Sequence, residues 1–537
     1  FKLGMFDPPE MVSFAQIPYE KNNAPEHGRL ALETARQSIV LLKNQDSVLP
    51  LSKELKRIAV IGPNADDHEV LLGNYNGTPV EYSTLLTGVK KVLPETAVVT
   101  HALGVNYLGE KYRLRPVPPE AFSVDGKKGL KVSYYSNIEL KGEPFRVATE
   151  QDINREYGYG APLEGMPADN FSIRFEGELR PVKTGKYYLG IIGDDGFRLY
   201  LEDKLVIDSW LNRGEQTRVY ETELKGGHSY LFRLEYFEGS NNAQIVFSWH
   251  EPDYDLFDEA LKIASEADAI IFAGGITPRL EGEEMGENIS FEGFYRGDRT
   301  KISLPAAQTE MLRALVKLGK PLVFVNMSGS AVSFVWENEN VPAIIQAWYP
   351  GEAGGEAIAD IIFGNANPSG RLPVTFYKSE EQLPPYEDYA MAGRTYRYFE
   401  GEALYPFGHG LSYSTFEYSN LSIKPGKIKK GKGIRLSVEV KNISDRDGNE
   451  VVQVYITDNN ASFPAPVKSL KAFKKIHLKA GEKKKVLFDL KPDDFALYND
   501  NAEQVVEPGD FTIMAGSSSA SGIEVTAFAK KKIVIDN

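Results

Sequence analysis

The sequence predicts a multidomain protein in which an α/β layer structure is interrupted by one all-β domain and followed by another. Three observations predict it. Short, almost wholly apolar runs at residues 57–61 (Arg57 apart), 269–272, 322–325 and 343–347 (Gln346 apart) alternate with helical patterns at 306–317 and 355–362. Strands with no polar alternation are buried on both faces, which indicates a mostly parallel sheet covered by helices. Between about Val117 and Pro252 the texture changes to alternating, Tyr- and Phe-rich strands such as Phe171-Ser172-Ile173-Arg174-Phe175, the mark of an antiparallel β domain. After Phe416, short strands at 435–440, 451–456, 485–490 and 511–515 recur at sandwich spacing.

In chain order, Gly4 before Pro8-Pro9 reads as the end of a helix, so an upstream domain is expected. Residues 27–44 have apolar positions near helical spacing, and Asn44 sits where a cap would; one helix is predicted there. Arg57-Ile58-Ala59-Val60-Ile61-Gly62-Pro63 reads as a buried strand entering a Gly-Pro turn. In the aromatic region, Gly193-Asp194-Asp195-Gly196 reads as a tight acidic turn before a strand, with a cation or sugar contact as its functional alternative. The helical pattern resumes at Phe257-Asp258-Glu259-Ala260-Leu261, which makes the β domain an insertion into the α/β one. The lysine-rich stretch 427–432 reads as a solvated edge.

Composition excludes several functions. A chain of 537 residues with 42% hydrophobic and 11% aromatic residues can hold about three or four globular domains. A net charge of −14 with no basic groove argues against a nucleic-acid partner. No apolar run is long enough to span a membrane. With no cysteine there is no disulfide, thiolate metal site or cysteine nucleophile. The Gly62-Pro63 turn lacks the G-x-G-x-x-G spacing, the P-loop and H-E-x-x-H motifs are absent, and seven histidines are scattered. Dinucleotide and zinc chemistry are therefore disfavoured.

The segment that points to chemistry is Leu280-Glu281-Gly282-Glu283-Glu284-Met285. It follows the apolar run 269–272 and the hinge-like Ala273-Gly274-Gly275, and precedes Gly297-Asp298-Arg299-Thr300 and Leu304-Pro305. A loop leaving the carboxyl end of a parallel strand is where α/β proteins place ligands. Crowded carboxylates raise one another's pKa, which is what a general acid needs. A solvated acidic loop is the plain alternative.

Several motifs resemble those of glycoside hydrolase family 3 over nearly the whole chain. They are Ser38-Ile39-Val40-Leu41-Leu42-Lys43-Asn44, Ile58-Ala59-Val60-Ile61-Gly62-Pro63-Asn64-Ala65, Trp348-Tyr349-Pro350-Gly351, Asn367-Pro368-Ser369-Gly370-Arg371-Leu372-Pro373 and Leu404-Tyr405-Pro406-Phe407-Gly408-His409-Gly410-Leu411-Ser412-Tyr413. The insert, with its Asp-Asp turn and Leu205-Val206-Ile207-Asp208, resembles a PA14 domain. The chain end, with Val506-Glu507-Pro508-Gly509-Asp510-Phe511, resembles a fibronectin-III-like domain.

The resemblance implies a retaining exo-β-glycosidase acting on β-glucosyl or β-xylosyl ends. Its aspartate nucleophile would lie on a (β/α)8 barrel absent from these residues, and its glutamate acid/base on the acidic loop. Glu283 matches that role best; Glu281 and Glu284 match it less well. The implied organisation is 1–26 barrel tail and linker, 27–116 first part of the α/β sandwich, 117–252 PA14-like insert, 253–415 second part of the sandwich, and 416–537 fibronectin-III-like domain. Expected partners are an oligosaccharide, the barrel and a second copy in a homodimer. No cofactor and no metal are expected, including Ca²⁺ at Asp194-Asp195, and the compartment implied is periplasmic or secreted. No substrate-binding residue is assigned. A non-catalytic carbohydrate-binding protein is the alternative of a different class.

Overall fold

The computed structural model describes residues 1–107, 114–252, 256–282, 290–291, 293–429, 432–530 and 533–534. The chain folds into two compact units, Phe1–Leu103 with Ala260–Asn537, and Gly104–Glu259.

The first unit is built on a six-stranded sheet. Its strands are β1 (Val40–Asn44), β2 (Arg57–Ile61), β3 (Val98–Ala102), β4 (Ala269–Gly275), β5 (Leu322–Met327) and β6 (Ala343–Gln346), in the order β1-β6-β5-β4-β2-β3. All pairings are parallel except β1 with β6, so the sheet is parallel with one antiparallel edge strand. Helices α1 (Pro25–Ser38), α2 (Leu85–Val92) and α4 (Gly354–Ile362) share one core with Ile58, Val60, Ile271, Val323, Val325 and Ile345. Helix α3 (Ala306–Val316) contributes buried Met311, Leu312 and Leu315, while Phe272 and Phe324 contact each other at 6.0 Å between ring centroids. Apolar residues at successive positions thus serve opposite faces, which is why these strands carry no polar alternation.

The helix expected over residues 27–44 ends early. It stops at Ser38, Ile39 turns extended, and residues 40–44 form β1. The physical reason is burial on a sheet edge: Ile39, Val40, Leu41 and Leu42 are all buried, and Val40 pairs with Gln346. A β-branched pair opening a continuous apolar run suits a strand better than a further helical turn.

Past the α/β layers the first unit carries an antiparallel sandwich. One sheet holds Phe416–Lys424, Ile434–Asn442 and Lys483–Leu490; the facing sheet includes Gly448–Asp458, Ser469–Leu478, Gly509–Ser518 and Ser521–Ala529. Their inward residues form a single core. A buried ion pair links this sandwich to the α/β part: Arg371 Nη2 meets Glu450 Oε2 at 2.7 Å, and Tyr418 donates to Glu450 Oε1 at 2.7 Å. Burial pushes the Glu450 carboxyl pKa up, against the pull of Arg371.

The second unit is mainly β, with an eight-stranded and a five-stranded antiparallel sheet over an aromatic core that includes Trp249, Tyr187, Tyr236, Phe171 and Phe197. The multidomain α/β plus all-β architecture expected from sequence is thus the one observed.

Candidate active site

The sheet order creates a crevice. From β2 the chain moves outward to β3, whereas β4 begins a run outward in the opposite direction through β5 and β6. The carboxyl ends of β2 and β4 therefore flank a topological switch point, the place where open α/β sheets bind ligands. Asn64, fully buried just past β2, bridges the two strands by donating to the Gly274 carbonyl at 2.9 Å. Arg279, on the loop after β4, pairs with Asp67 and reaches Glu69 at 3.0 Å.

Glu281 gathers three further loops at this point. The Asn74 amide, from the loop after β2, donates to the Glu281 backbone carbonyl at 3.0 Å. From the turn after β5, Ser330 Oγ donates to Oε1 and the Gly329 N–H donates to Oε2 at 3.3 Å. From the loop after β6, Tyr349 donates its phenol to Oε2 at 2.6 Å. Gly329 is needed for this approach, because a Cβ there would sit 2.7 Å from the Tyr349 ring and 3.2 Å from Glu281 Oε2.

A second tier fixes the first. Arg299 Nη1 donates to Ser330 Oγ at 2.8 Å and to the Ala331 carbonyl at 2.7 Å, while Nη2 donates to the Ile302 carbonyl at 2.6 Å. Burial pushes the Arg299 pKa down, and the Glu281 carboxylate opposes that shift. Below the turn, Asn326 and Gln346 are joined at 2.5 Å, Asn326 donates to Ser328 Oγ at 3.0 Å, and Ser328 donates to the Ser330 carbonyl at 2.8 Å. Asn326, Ser328 and Gln346 are fully buried. The network is only partly satisfied, since Asn326 Oδ1 and Arg299 Nε are buried with no hydrogen-bond partner among the described residues. Gly297 lies in the left-handed region, at φ +91°, with its α-carbon against the Gly282 carbonyl; a Cβ would collide there. Positions 282 and 297 of the acidic segment are therefore held together.

Of the residues singled out in the sequence, Glu281 is half-buried at this node, Asp298 is exposed, and Arg299 lies beneath. Glu283 and Glu284 lie outside the described residues. Sequence reasoning assigned no role to Ser330, Asn74 or Tyr349. Tyr349 carried a signal, since it follows an apolar strand inside the Trp-Tyr-Pro-Gly motif. Ser330 and Asn74 carried none.

The Asp194-Asp195 turn lies in the second unit. Both carboxylates are buried, and with Glu238 they place one oxygen each within 4.8 Å of the others. Among the described residues these are the carboxylates close enough to hold a metal ion. Asp195 already accepts from the Arg213 N–H at 2.6 Å and the Gly239 N–H at 2.8 Å, and Tyr236 donates to Glu238 at 3.2 Å. Desolvation first, and the neighbouring carboxylates second, push Asp194 up to about 7 and Glu238 up to about 8. A Ca²⁺ ion takes six to eight oxygens. Each of these three carboxylates already accepts at least one hydrogen bond from the protein.

Fold and site together define an α/β sandwich that concentrates its polar machinery on switch-point loops and carries a β-sandwich behind them. The Glycosyl hydrolase family 3 C-terminal domain matches residues 39–413, and the Fibronectin type III-like domain matches residues 450–519. The chain belongs to glycosyl hydrolase family 3. It is 37% identical over 532 residues to a xylan 1,4-beta-xylosidase of Xylanibacter ruminicola, covering 97% of this chain and 60% of that one. It is 29% identical over 508 residues to a periplasmic beta-glucosidase of Salmonella typhimurium, covering 92% of this chain and 49% of the relative. The crystal structure of the Kluyveromyces marxianus beta-glucosidase in complex with glucose superposes with a TM-score of 0.71 at 29% identity, over 96% of this chain and 63% of the other. The chain thus spans about half to two thirds of the length of the relatives it matches. Among the described residues no helix is long and apolar enough to cross a membrane.

Proposed function

We propose that this chain supplies the acid/base half of a retaining exo-β-glycosidase that removes terminal β-glucosyl or β-xylosyl residues from oligosaccharides. Glu283 is the general acid/base, and the nucleophile comes from a (β/α)8 barrel. Retention requires the two carboxyls about 5–5.5 Å apart, so each must be held firmly by its own domain. The observation that carries the reading is the Glu281 node. Loops from β2, β5 and β6 converge two residues before Glu283, at the switch point of the sheet. The names of the relatives favour the same chemistry, with xylosidase at the higher identity. Phe1, Met5, Phe6, Met11 and Phe14 are exposed, which fits a segment that another domain covers.

We read the unit Gly104–Glu259 as PA14-like, supported by its antiparallel aromatic core and its Asp-Asp turn. The periplasmic relative supports a periplasmic or secreted site. The homodimer is the assembly expected, and light scattering of the whole enzyme reads it directly.

The test is a comparison of the full-length enzyme with residues 1–537 alone, on nitrophenyl β-xyloside and β-glucoside. Turnover by the full-length enzyme and none by the isolated chain is expected, because one carboxylate of the pair is not a catalyst. Turnover by residues 1–537 would require a nucleophile within them and would refute the division of labour. A full-length protein inert on both substrates that still binds xylo-oligosaccharide would be a carbohydrate-binding protein instead.

A further inference from the structure

We propose that Glu281 is a positioning residue that sets the root of the acidic loop, and that it is not the proton donor. The proposal rests on the assignment of Glu283 above.

An acid catalyst needs a carboxyl oxygen within hydrogen-bond reach of the leaving-group oxygen. Both Glu281 oxygens are directed at protein donors: Oε1 at Ser330 Oγ, Oε2 at the Tyr349 phenol and the Gly329 N–H. The main chain of the same residue is held too. Its N–H donates to the Thr277 carbonyl at 3.1 Å, and its carbonyl accepts from Asn74 at 3.0 Å. The donors do not move freely either, since Arg299 donates to the Ser330 hydroxyl and Ser328 to the Ser330 carbonyl. One residue further on, Gly282 is closed against Gly297. Residue 281 is therefore the last point at which the side-chain network grips the chain before Glu283.

Two residues of chain span at most about 7 Å, so a shift at residue 281 passes to residue 283 with little attenuation. Misplacement by about 1 Å can cost on the order of 10²-fold in rate. The sequence Glu-x-Glu then separates two tasks: the first carboxylate locates the loop, and the second does the proton transfer.

The experiment uses the full-length enzyme with Glu281→Gln, Tyr349→Phe and the double variant, measured with a nitrophenyl glycoside and a natural oligosaccharide. Glu281→Gln should lower kcat by about 10–10²-fold. The loss should be larger for the oligosaccharide than for the nitrophenyl glycoside, because Glu283 assists departure of the poorer leaving group, with KM little changed, the basic limb of the pH–rate profile (deprotonation of the general acid) retained and no rescue by azide. Tyr349→Phe should show a smaller loss of the same kind. The double variant should be no worse than Glu281→Gln alone, because both changes break one linkage. Rescue by azide together with loss of the basic limb would make Glu281 the acid/base and overturn the proposal. Wild-type kcat in Glu281→Gln would overturn it as well. Should that variant fail to fold, Tyr349→Phe read the same way decides the matter. An active Glu283→Gln enzyme would instead refute the assignment of Glu283, whatever Glu281 does.

Discussion

Burial leaves Asp194 and Glu238 titrating near neutrality, at about 7 and about 8. Unfolded carboxylates titrate near about 4, so between those values the native state binds more protons than the unfolded one. The stability these groups contribute is therefore fully present at low pH and is lost as pH rises through about 7 to 8. Thermal melting of the Gly104–Glu259 unit should move to higher temperature from pH 8.5 to pH 6, and Glu238→Gln should flatten that slope. Melting that rises with pH, or a Ca²⁺-dependent gain at pH 8.5, would show that the cluster is not neutralised by protons. The Asp-Asp turn was legible in the sequence. Glu238 was not, because the strand pairing of Gly196 with Phe237 brings it to the turn from a distant part of the chain. The same holds at the active site. Glu281 and Arg299 stand in the motif, whereas Ser330 and Asn74 join them only when strands order their loops.

At the scale of elements, continuous apolar runs gave β2, β4, β5 and β6, since a strand buried on both faces admits few polar residues. Periodicity failed at residues 39–44, where a short apolar run reads equally as a helix or a strand and the antiparallel partner β6 decides. The joint between the α/β layers and the terminal sandwich was not legible at all. Arg371 lies in a quoted motif, but Glu450 faces it only through the fold. Breaking a buried pair leaves an uncompensated charge, at a cost of about 3–5 kcal/mol. Arg371→Met should lower stability by that amount in urea denaturation of residues 1–537, and adding Glu450→Leu should restore part of it. A loss under about 1 kcal/mol for Arg371→Met, the usual size for an exposed pair, would show that the joint is held by other contacts.

The whole molecule separates the scaffold from the chemistry. Its layers, insert and sandwich follow from burial patterns that each segment carries locally, so the architecture could be read along the chain. The proposed catalytic pair could not, because on that reading one of its two carboxylates comes from the barrel domain that the family implies. What this chain adds is a hydrogen-bonded origin for a short acidic loop, set where β2 and β4 diverge. The account stands or falls on the residue that loop carries. The most direct measurement is the Glu283→Gln variant of the full-length enzyme, assayed with and without azide on a natural oligosaccharide and on a substrate with a good leaving group. The account predicts a loss of roughly 10²–10⁴-fold on the oligosaccharide. It also predicts a much smaller loss with the good leaving group, and formation of the β-glycosyl azide. Wild-type turnover of the oligosaccharide by Glu283→Gln would contradict it.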